Sequence, residues 1–138
     1  MTAKKQRFIT FQLADKILAV PLNADSQFFS CEHLSALPIN NKYIAGVSYL
    51  NGHLVTVLRT DKFLGCNWKM PTNLQCLLFS YKGDFYALIV DQGMDTISAN
   101  KIFTEKTKNI LQKYIKVAKQ KIYILEIEQI FSTLKIYV

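Results

Sequence analysis

The sequence predicts an all-β protein made of two small barrels packed side by side. About nine or ten short strand-like runs are separated by tight turns, with little helix between them, which is typical of β-sandwiches and barrels. One hairpin, residues 43–59, is apolar on both faces. A barrel strand buries one face inside its own barrel, and it buries the other only where a second barrel packs against it. A sandwich strand under a covering loop is the alternative that periodicity leaves open.

The first predicted element is a hairpin of residues 7–22, with its turn at Ala14-Asp15. Residues 28–34 follow as a short, irregular strand. Residues 36–43 contain a proline and two adjacent asparagines, which interrupt regular structure, so a loop is predicted there.

The next element is the hairpin of residues 43–59, whose turn, Asn51-Gly52, is a strong short-range hairpin signal. Alternation places one set of side chains in its first strand on each face: Tyr43, Ala45, Val47 and Tyr49 on one, and Ile44, Gly46, Ser48 and Leu50 on the other. Gly46, Ala45 and Ser48 are small enough to let another backbone approach closely. This hairpin is therefore the predicted contact between the two barrels.

A short helical turn is predicted after this hairpin. Thr60 or Asp61 is the expected N-cap, because both side chains accept hydrogen bonds from backbone N–H groups, and Gly65 is the expected end. Residues 66–73 contain Pro71 and two asparagines. They are predicted to form a loop that marks the boundary between the halves of the chain.

Two further hairpins are predicted in the second half. The first, residues 74–90, turns at Lys82-Gly83, where glycine permits the positive φ that tight hairpin turns require. The second, residues 114–127, is predicted to turn at Lys119-Gln120.

The remaining segments of the second half carry weaker signals. Residues 93–98 are predicted to be a short strand, and residues 99–109 are polar and basic, so a loop or a weak helix is expected. Residues 126–131 place apolar side chains at helical spacing, which predicts a short C-terminal helix. Residues 133–138 alternate again and predict an extra strand or an extended tail.

Composition bounds the class of protein. The chain has 138 residues, half of them apolar, which is enough for one domain with a packed core. No apolar run reaches the length that spans a bilayer, and the first residues lack the pattern of a signal peptide, so we expect a cytoplasmic protein. Cys31, Cys66 and Cys76 are odd in number and widely spaced. We expect all three to be reduced and two of them to face the core.

The net charge of +7 is concentrated in residues 101–121, where seven lysines accompany one acid, Glu105. Such a stretch can meet nucleic acid, an anionic membrane surface or an acidic protein, or it can be a solvated face. With Phe103 and Tyr114 it loosely fits a barrel that binds single-stranded nucleic acid, which is the alternative function. Most aromatic residues, however, lie inside apolar strands, as core residues do.

The motifs of enzymes and metal sites are weak or absent in the sequence. There is no phosphate-binding loop, no dinucleotide-binding glycine motif and no nucleophile elbow. Cys31 and His33 lack a second pair of zinc ligands, and nothing in the sequence brings Cys66, His53 and Asp61 together as a nucleophile system. Asp91 and Asp95 follow a strand and are interpreted as turn residues. We therefore expect no catalytic residue, no cofactor and no metal.

Several short motifs occur in a distinctive order. The central stretch contains Pro38, Tyr43-Ile44, Gly46-Val47, Leu50, Gly52, Leu54-Val55, Val57-Leu58 and Leu64-Gly65. Residues 85–91 form an aliphatic strand that ends in Val-Asp, and the last hairpin is followed by a closing helix, with Glu126 where an aspartate is usual. Over residues 7–131 this order resembles the CheW-like family, the coupling proteins of bacterial chemotaxis arrays.

The resemblance implies a single domain over residues 1–138, made of two intertwined, five-stranded SH3-like barrels with short connecting and C-terminal helices. It implies a non-enzymatic adaptor that couples the cytoplasmic tip of a chemoreceptor to a CheA-type histidine kinase, in chemotaxis or in type IV pilus twitching. Related CheW-like domains are implied as ring partners, and the location would be an array at the inner face of the membrane. Neither nucleic acid binding nor membrane insertion is implied.

The sequence departs from the family pattern at three places in the central hairpin. Asn51 replaces an arginine, Thr56 replaces a proline, and Arg59-Thr60 replaces an Asp-Leu pair. A charge reversal at a contact changes which partners are tolerated, so we expect a divergent member with an altered partner surface. By position in the family, the predicted partner-binding residues are Leu37, Ile39, Leu50, Asn51, Arg59, Asp91 and Met94.

Overall fold

The computed structural model describes residues 5–107 and 110–134. These residues form eleven strands and two short helices. In chain order the elements are β1 (Gln6–Leu13), β2 (Lys16–Pro21), β3 (Gln27–Cys31), β4 (Ile44–Leu50), β5 (His53–Leu58), α1 (Thr60–Leu64), β6 (Leu74–Tyr81), β7 (Asp84–Val90), β8 (Gln92–Ala99), β9 (Phe103–Thr104), β10 (Lys113–Val117), β11 (Gln120–Ile124) and α2 (Ile127–Leu134).

The strands form two curled sheets. Barrel 1 is the six-stranded sheet with the order β8-β1-β2-β11-β10-β9, and barrel 2 is the five-stranded sheet with the order β3-β6-β7-β5-β4. The pairs β2–β11 and β5–β7 are parallel, and the other pairs are antiparallel. Residues 66–73 form a loop, and each barrel takes strands from both sides of it. The all-β class and the pair of SH3-like barrels are confirmed. Barrel 1 has six strands rather than the expected five, because the two-residue β9 adds to the edge of β10.

Apolar side chains pack into three clusters. One fills barrel 1 and includes Phe8, Ile115 and Ile122. A second fills barrel 2 and includes Val55 and Cys76. The third and largest lies between the barrels and is called the seam. Its buried members are Ile9, Phe11, Leu13, Leu18, Val20, Leu58, Phe63, Leu64, Leu77, Phe79, Leu88, Val90, Leu111, Leu125, Ile130 and Leu134.

Strands β1 and β7 show how a small chain buries both faces of a strand. In β7, Ala87 and Ile89 point into barrel 2, while Leu88 and Val90 point into the seam, and all four side chains are buried. In β1, Phe8 points into barrel 1 and Phe11 into the seam. Burying a side chain of this size stabilises the fold by about 1.5–3 kcal/mol, so the seam is a main source of stability.

The β4–β5 hairpin does not bury both faces along its length, and that part of the prediction was wrong. Leu58 lies in the seam and Tyr43 packs against it, but at the turn end Tyr49 is 72% exposed and Leu54 is 52% exposed. Periodicity identified strands with two apolar faces, but it did not show that β4 lies at the edge of barrel 2. The turn end of the hairpin is not covered by barrel 1.

Gly46 allows a close backbone approach, as predicted. A Cβ atom at this position would overlap the carbonyl group of Ser35. Ser35 and Val47 exchange two backbone hydrogen bonds of 2.9 and 2.8 Å, which join the loop after β3 to the edge of β4. Glycine is therefore required here both for packing and for a backbone φ of 156°, which L side chains rarely adopt.

Three of the four predicted hairpin turns are observed. Ala14, Asn51 and Lys82 have positive φ, and the turns at Asn51-Gly52 and Lys82-Gly83 have positive φ at both residues. The fourth turn lies at Ala118-Lys119 instead of Lys119-Gln120, because Gln120 pairs with Val117 in the ladder. No glycine or asparagine marks that turn, so the sequence lacked a signal for its register.

The two helices agree with the sequence at most of their boundaries. Gly65 ends α1 with φ 66°, as predicted, but the N-cap is Arg59, without a side-chain cap hydrogen bond, rather than Thr60 or Asp61. Helix α2 continues past the predicted end to Leu134, which is buried with Ile130. Residues 133–134 are therefore helical, and the rest of the predicted C-terminal strand or tail lies outside the described residues.

The basic segment contains a short strand that was not predicted. Phe103 and Thr104 form β9, which pairs with β10 at Tyr114 and Lys113. The predicted loop or weak helix is therefore a loop interrupted by a strand, over the part that the structure describes. Two residues are too few for alternation to be visible in the sequence.

Candidate partner-binding site

The seven predicted partner-binding residues lie in four places. Two are in the loop between β3 and β4, two are at the turn of the β4–β5 hairpin, one precedes α1, and two are at the start of β8 or just before it. In that order they are Leu37 and Ile39, Leu50 and Asn51, Arg59, and Asp91 and Met94. The structure does not bring all seven into one continuous patch.

Five of these residues are placed where a partner can reach them. Ile39 is 52% exposed, Met94 is 40% exposed and Leu37 is 37% exposed, so each offers apolar area to a partner. Asn51 is exposed at the hairpin turn. Leu50 is half-buried and, with Asn51, lines a groove at the end of barrel 2.

Arg59 is used inside the protein. Its Nε and Nη2 atoms donate to the two carboxylate oxygens of Asp61 at 2.9 and 2.8 Å. The Asp61 side chain is only 1% exposed, and that of Arg59 is 21% exposed. A paired guanidinium with this little exposure neutralises a buried carboxylate, so the main role of Arg59 is in the fold.

Asp91 is also bound within the protein, although it is exposed. Its carboxylate accepts hydrogen bonds from the backbone N–H of Ala14 and, at 3.0 Å, from Nε1 of Trp68. Its own N–H donates to the carbonyl oxygen of Gln12 at 2.8 Å. Asp91 therefore joins the β1–β2 turn to the loop after α1.

Tyr49 and Leu54 form an exposed apolar pair that sequence reasoning missed. They are directly opposite each other in the β4–β5 ladder, and we call them the hairpin pair. The two-residue turn at Asn51-Gly52 fixes this register, so the pairing was readable from the sequence. Exposure was not readable, because it depends on where barrel 1 packs.

The hairpin pair lies beside an open edge of barrel 2. Tyr49 and Val47 line one side of a groove of about 410 Å³, and Phe29 and His33 line the other. Val47 uses its N–H and C=O for Ser35, so strand alternation directs the same groups of Tyr49 towards the groove. Among the described residues no strand continues the ladder there, which leaves an edge that a partner can contact.

The sequence matches the family described as "CheW-like domain" over residues 7–135, which is nearly the whole chain. The chain belongs to the CheW-like family. Its fold is similar to that of the scaffolding protein TtCheW from Thermoanaerobacter tengcongensis, with a TM-score of 0.73, 18% sequence identity and 88% of each chain covered. A comparison with curated proteins gives no match. Membership of the family supports a scaffold or coupling protein of chemotaxis.

The structure changes the interpretation of one departure from the CheW-like pattern. By the resemblance, Arg59 replaces an acid of the family pattern, and its charge is neutralised by Asp61. Asn51 replaces an arginine of that pattern, and it is exposed at the turn. Of these two departures, Asn51 is therefore the one that presents an altered side chain to a partner.

The described residues do not bring Cys66, His53 and Asp61 together as a nucleophile system. His53 begins β5 and packs on Phe85, with a ring separation of 4.8 Å, whereas Asp61 and Cys66 follow the other end of that strand. Six strand residues span about 20 Å, so these three groups are not in mutual reach. Cys31 and Cys76 are buried in barrel 2, as expected for two core-facing cysteines, and burial raises the pKa of Cys76 to about 12.

The aromatic residues of the basic segment do not present free faces for stacking bases. Phe103 and Tyr114 stack on each other, with centroids 5.2 Å apart. Lys101 and Lys116 lie over the Phe103 ring, and Lys121 lies over Tyr114. A base-stacking site needs open rings, so this arrangement does not favour the nucleic acid alternative.

The helices of the described chain are short. Neither α1, with five residues, nor α2, with eight, is long and apolar enough to cross a bilayer.

Proposed function

We propose that this CheW-like protein is a non-enzymatic adaptor that binds the regulatory domain of a CheA-type histidine kinase and the cytoplasmic tip of a chemoreceptor. The proposal rests on membership of the CheW-like family over residues 7–135. An adaptor needs a distinct surface for each partner. Exposed apolar side chains in separate places of the fold provide two candidate surfaces.

The proposed kinase contact is the end of barrel 2. The hairpin pair, Tyr49 and Leu54, is the most exposed large apolar group of barrel 2, and Asn51 lies beside it at the turn. A tyrosine that is 72% exposed offers a large, rigid contact area, which is typical of energetic anchors in protein interfaces. Transient signalling contacts need few such anchors.

The proposed receptor contact involves Leu37, Ile39 and Met94. Gly93, next to Met94, packs directly on Phe28 of β3, so this part of β8 lies where barrel 1 meets barrel 2. An exposed methionine adapts its shape to a helical partner, which suits a receptor tip. Leu37 and Ile39 are in the loop next to Ser35, which pairs with β4.

The experiment measures binding of the chain to a CheA-type regulatory domain and, separately, to a receptor-tip peptide, by isothermal titration calorimetry. Tyr49→Ser with Leu54→Ser is expected to weaken kinase binding by about tenfold or more, since hot-spot residues contribute about 2 kcal/mol or more, and to leave receptor binding unchanged. The matched control is Ile102→Ser, which removes a similarly exposed apolar side chain from the β8–β9 connection of barrel 1.

Two results would contradict this assignment. The first is that the hairpin variant and Ile102→Ser weaken kinase binding equally, and the second is that the unaltered chain binds neither partner. Circular dichroism of each variant separates lost binding from lost folding. Steeply salt-dependent binding to a labelled oligonucleotide, without kinase binding, would favour the nucleic acid alternative.

Partner choice is tested at Asn51. Because Arg59 neutralises Asp61, restoring an acid at position 59 would place two carboxylates side by side and disturb the fold. Asn51→Arg alone restores the family residue at an exposed turn without this effect. It is expected to strengthen binding to an ordinary chemotaxis kinase, and unchanged affinity would show that Asn51 does not set the choice between chemotaxis and pilus partners.

A further inference from the structure

The basic segment forms a pocket at the β9 end of barrel 1, away from the proposed docking surfaces. The pocket is an open depression of about 420 Å³. The residues that give it its chemistry are Lys5, Lys101, Lys116, Ser98, Asn100 and Phe103. Three ammonium groups, a hydroxyl and an amide thus surround one aromatic ring.

Phe103 holds two of the ammonium groups in place. Nζ of Lys101 lies 4.9 Å from the centre of the ring, and Nζ of Lys116 lies 4.7 Å from it. The ring itself is positioned by pairing with Tyr114 and by stacking on it. Cation–π contacts of this kind reduce the freedom of flexible lysine side chains, so the positive charges are partly preorganised.

The positive charge in this pocket is not neutralised by the protein. No carboxylate lines the depression, and within residues 5–107 and 110–134 none of its three lysines has a carboxylate partner. Glu105 and Glu126, the acids nearest in sequence to Lys116, pair with Lys121 and Lys113 instead.

The two ammonium groups over Phe103 are less than about 10 Å apart, which is within one Debye length at ~0.1 M salt. They therefore repel each other, and an anion bound close to both would reduce the repulsion.

The donor set indicates the class of anion. Lysine ammonium groups bind phosphoryl oxygens as point charges, and several such charges lining one depression match an anion that carries more than one negative group. Ser98 and Asn100 add neutral donors to the lysines. The Phe103 ring is already covered by lysines and Tyr114, so a base would not stack there. We propose that this pocket binds an anion that carries two or more phosphoryl groups.

The test is calorimetric titration of the chain with inorganic tripolyphosphate at moderate salt, with ATP as a second arm and vesicles containing cardiolipin, whose headgroup carries two phosphate groups, as a third. Saturable binding to tripolyphosphate is expected. Binding to ATP as well as tripolyphosphate would indicate a soluble phosphate compound, and stronger binding to vesicles would indicate a lipid headgroup. Lys101→Gln with Lys116→Gln is expected to weaken binding by about tenfold or more.

The matched control removes the same charge elsewhere. Lys62→Gln with Lys69→Gln alters two exposed lysines on α1 and the following loop, and it is expected to change affinity by less than about twofold. Equal weakening by both pairs of substitutions would show attraction to overall charge and overturn the proposal. Absence of saturable binding to all three probes would also overturn it. Neither result depends on whether the chain binds a kinase.

Discussion

The ion pair between Arg59 and Asp61 makes a sharp prediction about stability. Arg59→Met keeps most of the apolar stem but removes both hydrogen bonds to the Asp61 carboxylate, which is 1% exposed. Breaking a buried pair by removing one partner costs about 3–5 kcal/mol, because an unpaired charge is left in the interior. The Arg59 side chain is 21% exposed, so water can partly replace it, and the lower end, about 3 kcal/mol, is expected.

This loss is large enough to measure by thermal unfolding. At about 2.1 cal/mol/K per residue, a chain of 138 residues has an unfolding entropy near 0.29 kcal/mol/K, so Tm should fall by about 10 °C. The matched control is Lys113→Met, which breaks the more exposed pair with Glu126 and is expected to cost about 0–1 kcal/mol. Adding Asp61→Asn to Arg59→Met removes the stranded charge and should recover much of the stability.

Two outcomes would refute the reasoning. If Arg59→Met lowers the free energy of unfolding by no more than Lys113→Met does, the Arg59 pair is not a buried structural contact. If Asp61→Asn does not improve the Arg59→Met variant, the loss comes from packing of the arginine stem rather than from an unpaired carboxylate. Urea unfolding with an unchanged m-value would confirm that the variants differ in stability and not in the surface that is exposed on unfolding.

The remaining predictions concern the packing of Gly46, the hydrogen bond between Asp91 and Trp68, and the reactivity of the Cys66 thiol. Gly46 and Gly83 both have positive φ, so alanine strains the backbone at either position, but only at Gly46 does the added Cβ also meet a backbone carbonyl. Gly46→Ala should therefore cost about 1–3 kcal/mol more in urea unfolding than Gly83→Ala, and equal costs would contradict the packing role. Asp91→Ala removes the hydrogen bond to Trp68, the single tryptophan, so its fluorescence should shift and stability should fall by about 1 kcal/mol; an unchanged spectrum would contradict the contact. Burial raises the pKa of the Cys66 thiol above its ordinary value, so less thiolate forms at a given pH and the rate of reaction with a thiol reagent should rise at a higher pH than for a free cysteine. A midpoint at or below that of free cysteine would contradict the burial of this side chain.

The sequence predicted the strands well because local signals specify them. Strands β6 and β7 follow the predicted runs on either side of Lys82-Gly83, where glycine and alternation agree. The turn at Ala118-Lys119 was placed one residue late, since neither residue is a usual turn former. The register of a hairpin can be predicted from the local sequence only where the turn residues specify the turn type.

The candidate site was harder to predict because exposure and pairing depend on tertiary packing. Their position in the family suggested that Arg59 and Asp91 contact a partner. In the structure the Arg59 guanidinium pairs with Asp61, and the Asp91 carboxylate accepts a hydrogen bond from Trp68. The exposure of Tyr49 was also missed, because simple alternation placed it on one face with Tyr43, which packs against the seam. Tyr43 precedes β4, and a register shift between Ile44 and Gly46 interrupts the alternation, so the two tyrosines do not share one continuous face.

The most direct test of the adaptor function is a reconstitution with vesicles that carry the receptor tip. A CheA-type kinase is mixed with these vesicles, with and without the chain, and the kinase that sediments with them is measured. The kinase is expected to sediment in a larger amount when the chain is present, and Tyr49→Ser with Leu54→Ser is expected to remove this gain. Sedimentation of the kinase that does not change when the chain is added would contradict the adaptor function.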